Sequence, residues 1–370
     1  MKCKLNKKSL YDCDKCIYFI RKKCRGPIIK GFATRDDTKK FLYNGKVHKS
    51  NIRELCDFFV SSIGFGSNKP TYPRFKEEYK IPFKESLRAF IENKGNIIDV
   101  ALDSIYMGGW SEYILGDVLR EMILEGKAKR EQIAVISKSP SLYENFDFCI
   151  QNSLDNLNLE TIDIYLVHDH EVLFTKFDSQ KAKTITRNII SSLENNISKN
   201  KIRYYGISIG DHHLVSKNSL YPNLEEIYSI AEDIGGKKNG FKVIEIPLNP
   251  TRPEAIFNRD QVVKGKILNI IEAAKEFKLD VIITESLSRG SPLGNYDDVP
   301  GNNIFQRQLV LLKSLNDIKT ILFGSINPDH VKNNMEILKI PNLDQKIAEK
   351  TFYKMSESIK NEWWIHKVNG

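Results

Sequence analysis

No stretch of the 370-residue chain approaches the roughly 18 consecutive apolar residues of a membrane span, and no apolar run follows its first lysines. Neither a membrane-spanning segment nor a secretory signal is expected, so the expectation is a soluble cytoplasmic protein. Apolar residues are not scarce overall: at 41% they suffice for one large core or two modest ones, which excludes disorder throughout. Cysteine is nearly missing beyond residue 24, where only Cys56 and Cys149 occur. Whatever chemistry cysteine supports therefore belongs to the leader. Acidic side chains are scarce at the start: residues 1–50 hold fifteen Lys or Arg against four Asp, a balance of +11. The formal charge of +9 leaves 9 − 11 = −2 for the other 320 residues. The basicity is that of an arm, which reads first as a solvated leader, and nucleic-acid binding is not expected.

What is present is a series of eight short apolar, β-branched runs separated by polar, helix-patterned stretches. They lie at 60–66 (VSSIGFG), 96–101 (NIIDVA), 133–138 (IAVISK), 162–168 (IDIYLVH), 202–208 (IRYYGIS), 243–249 (VIEIPLN), 281–285 (VIITE) and 320–325 (TILFGS). Consecutive starts are 29 to 41 residues apart, room for one helix and two loops. Near-continuous apolar strands imply burial on both faces, and strand–helix alternation implies parallel pairing through right-handed crossovers. Eight such units predict an α/β fold of the (β/α)₈ TIM-barrel type. An open doubly wound sheet is the alternative, but the first run lacks the G-x-G-x-x-G turn that such a sheet uses for a dinucleotide. Residues 27–59 read as a lid or hairpin closing the barrel bottom, and 343–360 as a further helix leading to a Trp363-Trp364 tail. The organisation expected is a Cys-rich basic leader, 1–26, and a barrel with C-terminal helix and tail, 27–370.

In a parallel barrel the chemistry sits at the C-terminal strand ends. There the sequence places Asp99, Lys138, His168 and Ser208, then Glu245 and Glu285 on the sixth and seventh runs, with Tyr106 in the loop after the second. Each alone has an inert reading: a cap, a solvated lysine, a structural histidine. Together, Asp99, Tyr106, Lys138 and His168 form a proton-transfer set. An adjacent Lys138 ammonium would stabilise the Tyr106 phenolate, Asp99 would balance that ammonium, and His168 would donate to a substrate carbonyl oxygen. Such a set polarises and protonates a carbonyl but lacks a hydride source.

The segments SSIGFGS, NIIDVA, YMGGWSEYILG, ISK, SLDNLNLETIDIYLVHDHE, KIRYYGIS and FGSINPDHVKNN, in this order, resemble the aldo-keto reductase family over about residues 34–340. The resemblance implies an NAD(P)H-dependent carbonyl reductase whose tetrad maps to Asp99, Tyr106, Lys138 and His168. It further implies cofactor contacts from Gly64, Gly66, Ser67, Ser208, Glu245, Gly324, Ser325, His330 and Asn334, with NADP(H) ahead of NAD(H). The substrate implied is a small-molecule aldehyde or ketone. Four departures stand out. Six residues, 100–105, separate Asp99 from Tyr106 where the family usually has four. Ile209 follows Ser208 where Asn is frequent, and Glu245 and Leu248 replace a usual Gln and a stacking ring. Only His330, with Lys332 nearby, offers a basic group for the adenosine phosphate.

Outside the resemblance lie Cys3, Cys13, Cys16 and Cys24, spaced C-x9-C-x2-C-x7-C. So short a leader has no core of its own, and four thiolates around one Zn²⁺ would order it, an iron–sulfur cluster or redox chemistry being the alternatives. Its Lys22, Lys23 and Arg25 offer either thiolate stabilisation or docking for an acidic protein partner. Two other functions compete. A barrel metallohydrolase would use His168, His170, His213 and Asp211; a non-catalytic barrel would bind the nucleotide as a sensor. Phe65, Trp110, Trp363 and Trp364 are candidate walls of a substrate pocket.

Overall fold

The computed structural model describes residues 26–68, 76–103, 106–210, 223–292, 294 and 296–368, and the side chains up to residue 359 apart from Met107. Twelve strands are described. They are β1 (Ile52–Leu55), β2 (Phe58–Ser61), β3 (Ile63–Gly66), β4 (Ile97–Asp99), β5 (Ala134–Pro140), β6 (Ile162–His168), β7 (Ile202–Ser208), β8 (Phe241–Pro247), β9 (Gln261–Val263), β10 (Lys266–Leu268), β11 (Asp280–Thr284) and β12 (Ile318–Phe323). Eight of them close a barrel in the order β3-β4-β5-β6-β7-β8-β11-β12, every neighbouring pair parallel. Each of the eight apolar runs supplies one barrel strand, and helices stand between them, as the alternation predicts. Five of those helices begin on an asparagine, at Asn145, Asn223, Asn269, Asn303 and Asn327, whose side chain accepts a backbone N–H of the first turn.

Strand periodicity divides the barrel interior into two levels. Alternate residues Ile97, Ala134, Ile136, Ile164, Leu166, Val243, Ile282 and Leu322 form an apolar lower core. One step further along β4, β5, β6 and β8 the same inward rows end in Asp99, Lys138, His168 and Glu245, all buried. The complementary rows, among them Val135, Tyr165, Val167, Ile207, Ile244, Val281 and Ile321, face the helices in a second, larger core.

The bottom is closed by the antiparallel β1–β2 hairpin, whose Leu55, Phe58 and Val60 join the lower core with Ala33. Its turn is pinned at the N-terminal strand ends: Cys56 N–H donates to Asp280 Oδ2 at 2.6 Å and Arg203 reaches Asp57 at 2.6 Å. The first apolar run is therefore two strands rather than one. Val60 and Ser61 pair with β1, while Ile63–Gly66 joins β12 and β4, because the chain turns from hairpin to barrel at Ser62. Past the barrel, the helix Gln345–Val368 runs through the stretch expected as a tail. No described helix is long and apolar enough to cross a membrane. The four-cysteine leader, together with Asp211 and His213, lies outside the described residues.

Candidate active site

Register brings the polar strand ends to one level of the barrel mouth. Gly66 pairs with Asp99, Pro140 with His168, His168 with Ser208 and Ser208 with Glu245. Lys138 Nζ donates to Asp99 Oδ2 at 3.1 Å and to Glu245 Oε1 at 2.5 Å, and all three side chains are at most 3% exposed. Ser208 Oγ donates to the same Glu245 oxygen at 2.7 Å. Tyr106 is carried by the loop after β4, where Tyr106 N–H bonds Asp103 C=O, and its hydroxyl lies 3.3 Å from His168 Nε2. The two rings meet edge to face at 5.5 Å, and Lys138 Nζ sits 5.4 Å from the phenol centroid.

The tetrad Asp99, Tyr106, Lys138 and His168 thus meets in space despite the six-residue spacing between its first two members. One expected feature differs. A neighbouring ammonium was expected to ease ionisation of Tyr106, whereas burial pushes the phenol well above its ordinary range; Lys138 works against this, but Asp99, Glu245 and Asp169 reinforce it. The hydroxyl bonds the imidazole, while the ammonium is taken by two carboxylates. Burial alone would discharge Lys138, yet Asp99 and Glu245 outweigh it and hold the group well above its usual range. His168 is pushed down to about 3, first by burial and then by the Lys138 charge, so its ring is neutral at physiological pH.

Glu245, expected as a cofactor contact, is also a second counter-ion for Lys138; its legible signal was a charge near the end of an apolar strand. Asp169 Oδ1, 3.5 Å from His168 Nε2, and Asp103 Oδ2, 3.9 Å from His168 Nδ1, also stand around the imidazole, and nothing in their sequence setting singled them out.

Other candidates divide. Ser67 lies at the mouth: its N–H donates to Asp99 C=O, and its Oγ is buried with no hydrogen-bond partner. Gly64 lies lower, where an added Cβ would meet Leu322, Ile97 and Thr320, so it belongs to the barrel packing. Gly324 and Ser325 are half-buried after β12, His330 is exposed on the following helix Pro328–Met335, and Asn334 is buried near its end. Phe65 is no pocket wall: it packs on Phe83, Phe90 and Phe323 at 5.5–6.0 Å, in the outer core. Trp110 carries Lys80 Nζ 3.0 Å over its ring. The side chains of Trp363 and Trp364 lie outside the described ones.

The two histidines of the H-x-H stretch do not share a face. Strand β6 ends at His168 and Asp169 takes a left-handed φ of 49°, which turns His170 towards the helices, where its Nε2 lies 3.0 Å from Thr186 Oγ1. Among the described residues no group of three His, Cys, Asp or Glu is placed to hold a metal. The metallohydrolase arrangement therefore loses its pairing of His168 with His170.

Comparison with known proteins follows the same lines. Residues 62–227, from the start of the barrel into the helix after β7, match the model of the aldo/keto reductase family. The chain is similar to a Klebsiella pneumoniae aldo/keto reductase solved with NADP and acetate, at 17% identity and a TM-score of 0.61 over 84% of this chain and 96% of that one. It is similar to the holo form of a Bacillus halodurans aldo-keto reductase at 19% identity and a TM-score of 0.54, covering 82% and 96%. It is also similar to a Gluconobacter oxydans glycerol dehydrogenase at 15% identity and a TM-score of 0.56, covering 83% and 95%. No curated protein matches the chain. Likeness at these identities speaks for the fold, a closed (β/α)₈ barrel.

Proposed function

From the premise that this chain resembles the aldo/keto reductases, we propose that it is an NADP(H)-dependent oxidoreductase that reduces a small-molecule aldehyde or ketone to an alcohol. The observation that carries the reading is the convergence of Asp99, Lys138, Tyr106 and His168 at the barrel mouth, since those four groups come from three different strands and a loop. The residues fit a nicotinamide nucleotide. Ser67 Oγ and Glu245 Oε2 are buried polar atoms without a partner, and a carboxamide offers N–H donors and a carbonyl acceptor to such atoms. Gly66, Ser67, Ser208 and Glu245 would hold the nicotinamide end, and Gly324, Ser325, His330 and Asn334 the adenosine end.

When bound, the reduced nicotinamide supplies the hydride that the side chains lack. The chain's own residues do the rest. His168, neutral and bonded to Tyr106, orients the carbonyl oxygen between its ring and the phenol. Tyr106 gives its proton to that oxygen as negative charge develops there, and Lys138, fixed by its carboxylates, tempers the charge left on the phenol. The buried, apolar lower core keeps water from beneath the site.

One observation favours a second reading, a nucleotide-binding barrel with little turnover: the Tyr106 phenol is held up rather than down. A panel of aldehydes assayed with NADPH and NADH separates the two. Turnover that falls by about 10²–10⁴ in Tyr106→Phe while nucleotide binding persists supports the reductase; binding without turnover on any aldehyde supports the sensor. For the leader, zinc held by Cys3, Cys13, Cys16 and Cys24 remains our proposal, tested by metal content of the full chain before and after their replacement by Ser.

A further inference from the structure

We propose that Glu245 is a positioning residue that competes with Asp99 for Lys138, so that the Asp99 carboxyl keeps a proton that a fully compensated aspartate would lose, and departure of that proton sets the alkaline limit of the reaction. This deepens, and rests on, the carbonyl-reduction reading of the same site.

Asp99 Oδ2 and Glu245 Oε1 both take Lys138 Nζ, at 3.1 and 2.5 Å, and the three side chains are almost wholly shielded from water. The remaining oxygens, Asp99 Oδ1 and Glu245 Oε2, are buried with no donor among the described residues. Two carboxylates on one ammonium leave an uncompensated negative charge in a dry interior, the arrangement most readily relieved by a proton.

Among the described residues, the groups facing the cluster do not relieve it otherwise. Asp103 and Tyr106 come from the loop after β4, Lys138 from β5, His168 and Asp169 from β6 and its end, and Ser208 from β7. Of these, only Lys138 is cationic, because His168 is held neutral by burial and by Lys138 itself. Ser208 donates one neutral hydrogen bond. Burial accordingly raises Asp99 to about 8, Lys138 opposing and Glu245 reinforcing the rise.

Its consequence falls on Tyr106. With the proton in place, the cluster of Asp99, Glu245 and Lys138 is neutral; once it is lost, the cluster carries one negative charge beside a phenol that must become negative during proton transfer. Tyr106 is then a poorer acid, and reduction slows above about pH 8. Glu245→Gln keeps the length of the side chain and an oxygen for Lys138 and Ser208 but leaves Asp99 as the single counter-ion. Asp99 is then ionised throughout the neutral range, and the alkaline limit moves up by about one pH unit or more.

The decisive experiment uses the full chain without cofactor or substrate, with ¹³C at the aspartate and glutamate carboxyls and resonances assigned by Asp99→Asn and Glu245→Gln. The expected result is a proton released by the Asp99 carboxyl at about pH 8 in the wild type. That step is absent from Asp99 in Glu245→Gln. Asp99 ionised throughout the neutral range in the wild type, or titrating unchanged in Glu245→Gln, overturns the proposal. Should Glu245→Gln not fold, Ser208→Ala serves instead: with its neutral donor gone, Glu245 draws harder on Lys138 and the Asp99 titration rises, and an unchanged Asp99 titration counts against the proposal. If the titration appears but no aldehyde is turned over, the reductase reading fails and the carboxylate pair stands. If turnover is present, an alkaline limb of kcat that stays in place in Glu245→Gln overturns the coupling to Tyr106.

Discussion

Replacing Asp163 by Ala would test whether the barrel bottom is held by burial of charge rather than by the number of ion pairs. Asp163, the second residue of β6, lies in the outward row of Tyr165 and Val167 and is fully buried. Its Oδ1 accepts Ala33 N–H at 2.7 Å, tying down the segment before the hairpin. Its Oδ2 accepts Val135 N–H of β5 at 2.8 Å and a guanidinium N–H of buried Arg130 at 2.7 Å. Removing one member of a buried pair costs about 3–5 kcal/mol, because the partner's charge is stranded. The two orphaned N–H groups add to that, each at roughly 1–3 kcal/mol if nothing replaces the oxygen, though not additively. Loss of at least about 4 kcal/mol is expected, read from the midpoint of denaturant unfolding followed by far-ultraviolet circular dichroism with the slope unchanged. Asp57 is the control, since its pair with Arg203 is as short, at 2.6 Å, but its side chain is 52% exposed. Asp57→Ala should cost no more than about 1 kcal/mol. Equal losses in the two variants, or a loss under about 1 kcal/mol for Asp163→Ala, would refute the reasoning.

Gly206→Ala should destabilise by about 2 kcal/mol or more, since a Cβ there would stand 2.1 Å from the Val243 carbonyl oxygen, a backbone atom with little room to yield; chemical denaturation measures it. Lys313 is buried, bonded to the neutral oxygens Asn51 Oδ1, Ile340 C=O and Asn342 Oδ1, and burial, aided by Arg53, pushes it down to about 7. Its folded state binds fewer protons than its unfolded state between about pH 7 and 10.5, so stability rises across that window, and Lys313→Met should flatten the rise seen in melts at several pH values. His168, pushed down to about 3 from 6.5, works at lower pH: the unfolded chain takes the proton first, so stability falls as pH drops from about 6.5 towards 3, and His168→Asn should remove part of that acid sensitivity.

The eight barrel strands were legible because a strand buried on both faces reads as a short apolar run, and crossover helices space such runs evenly. The break at Ser62 was not legible: residues 60–66 are apolar throughout, and only the pairing partners, β1 on one side and β12 with β4 on the other, separate hairpin from barrel. The helical continuation through the residues expected as a tail was hidden for a related reason, since length of helix depends on what the chain packs against as well as on pattern. At the site, Asp99, Lys138 and His168 were readable as polar residues ending apolar runs. His170 does not join them, because strand alternation holds only while the strand lasts, and Asp169 turns the chain out of it.

By itself, then, the sequence determined the kind of fold and which residues end at its mouth, because strand period and apolar burial are local properties that survive without neighbours. Which of those residues touch was decided only by closure of the barrel. Asp99, Lys138 and Glu245 are 39 and 107 residues apart in turn along the chain, and no spacing rule joins them. Parallel register sets β4, β5, β7 and β8 at matching heights, and a dry interior then forces one ammonium to serve two carboxylates. That balance of charge, on which the acidity of Tyr106 depends, is a property of the enclosed volume.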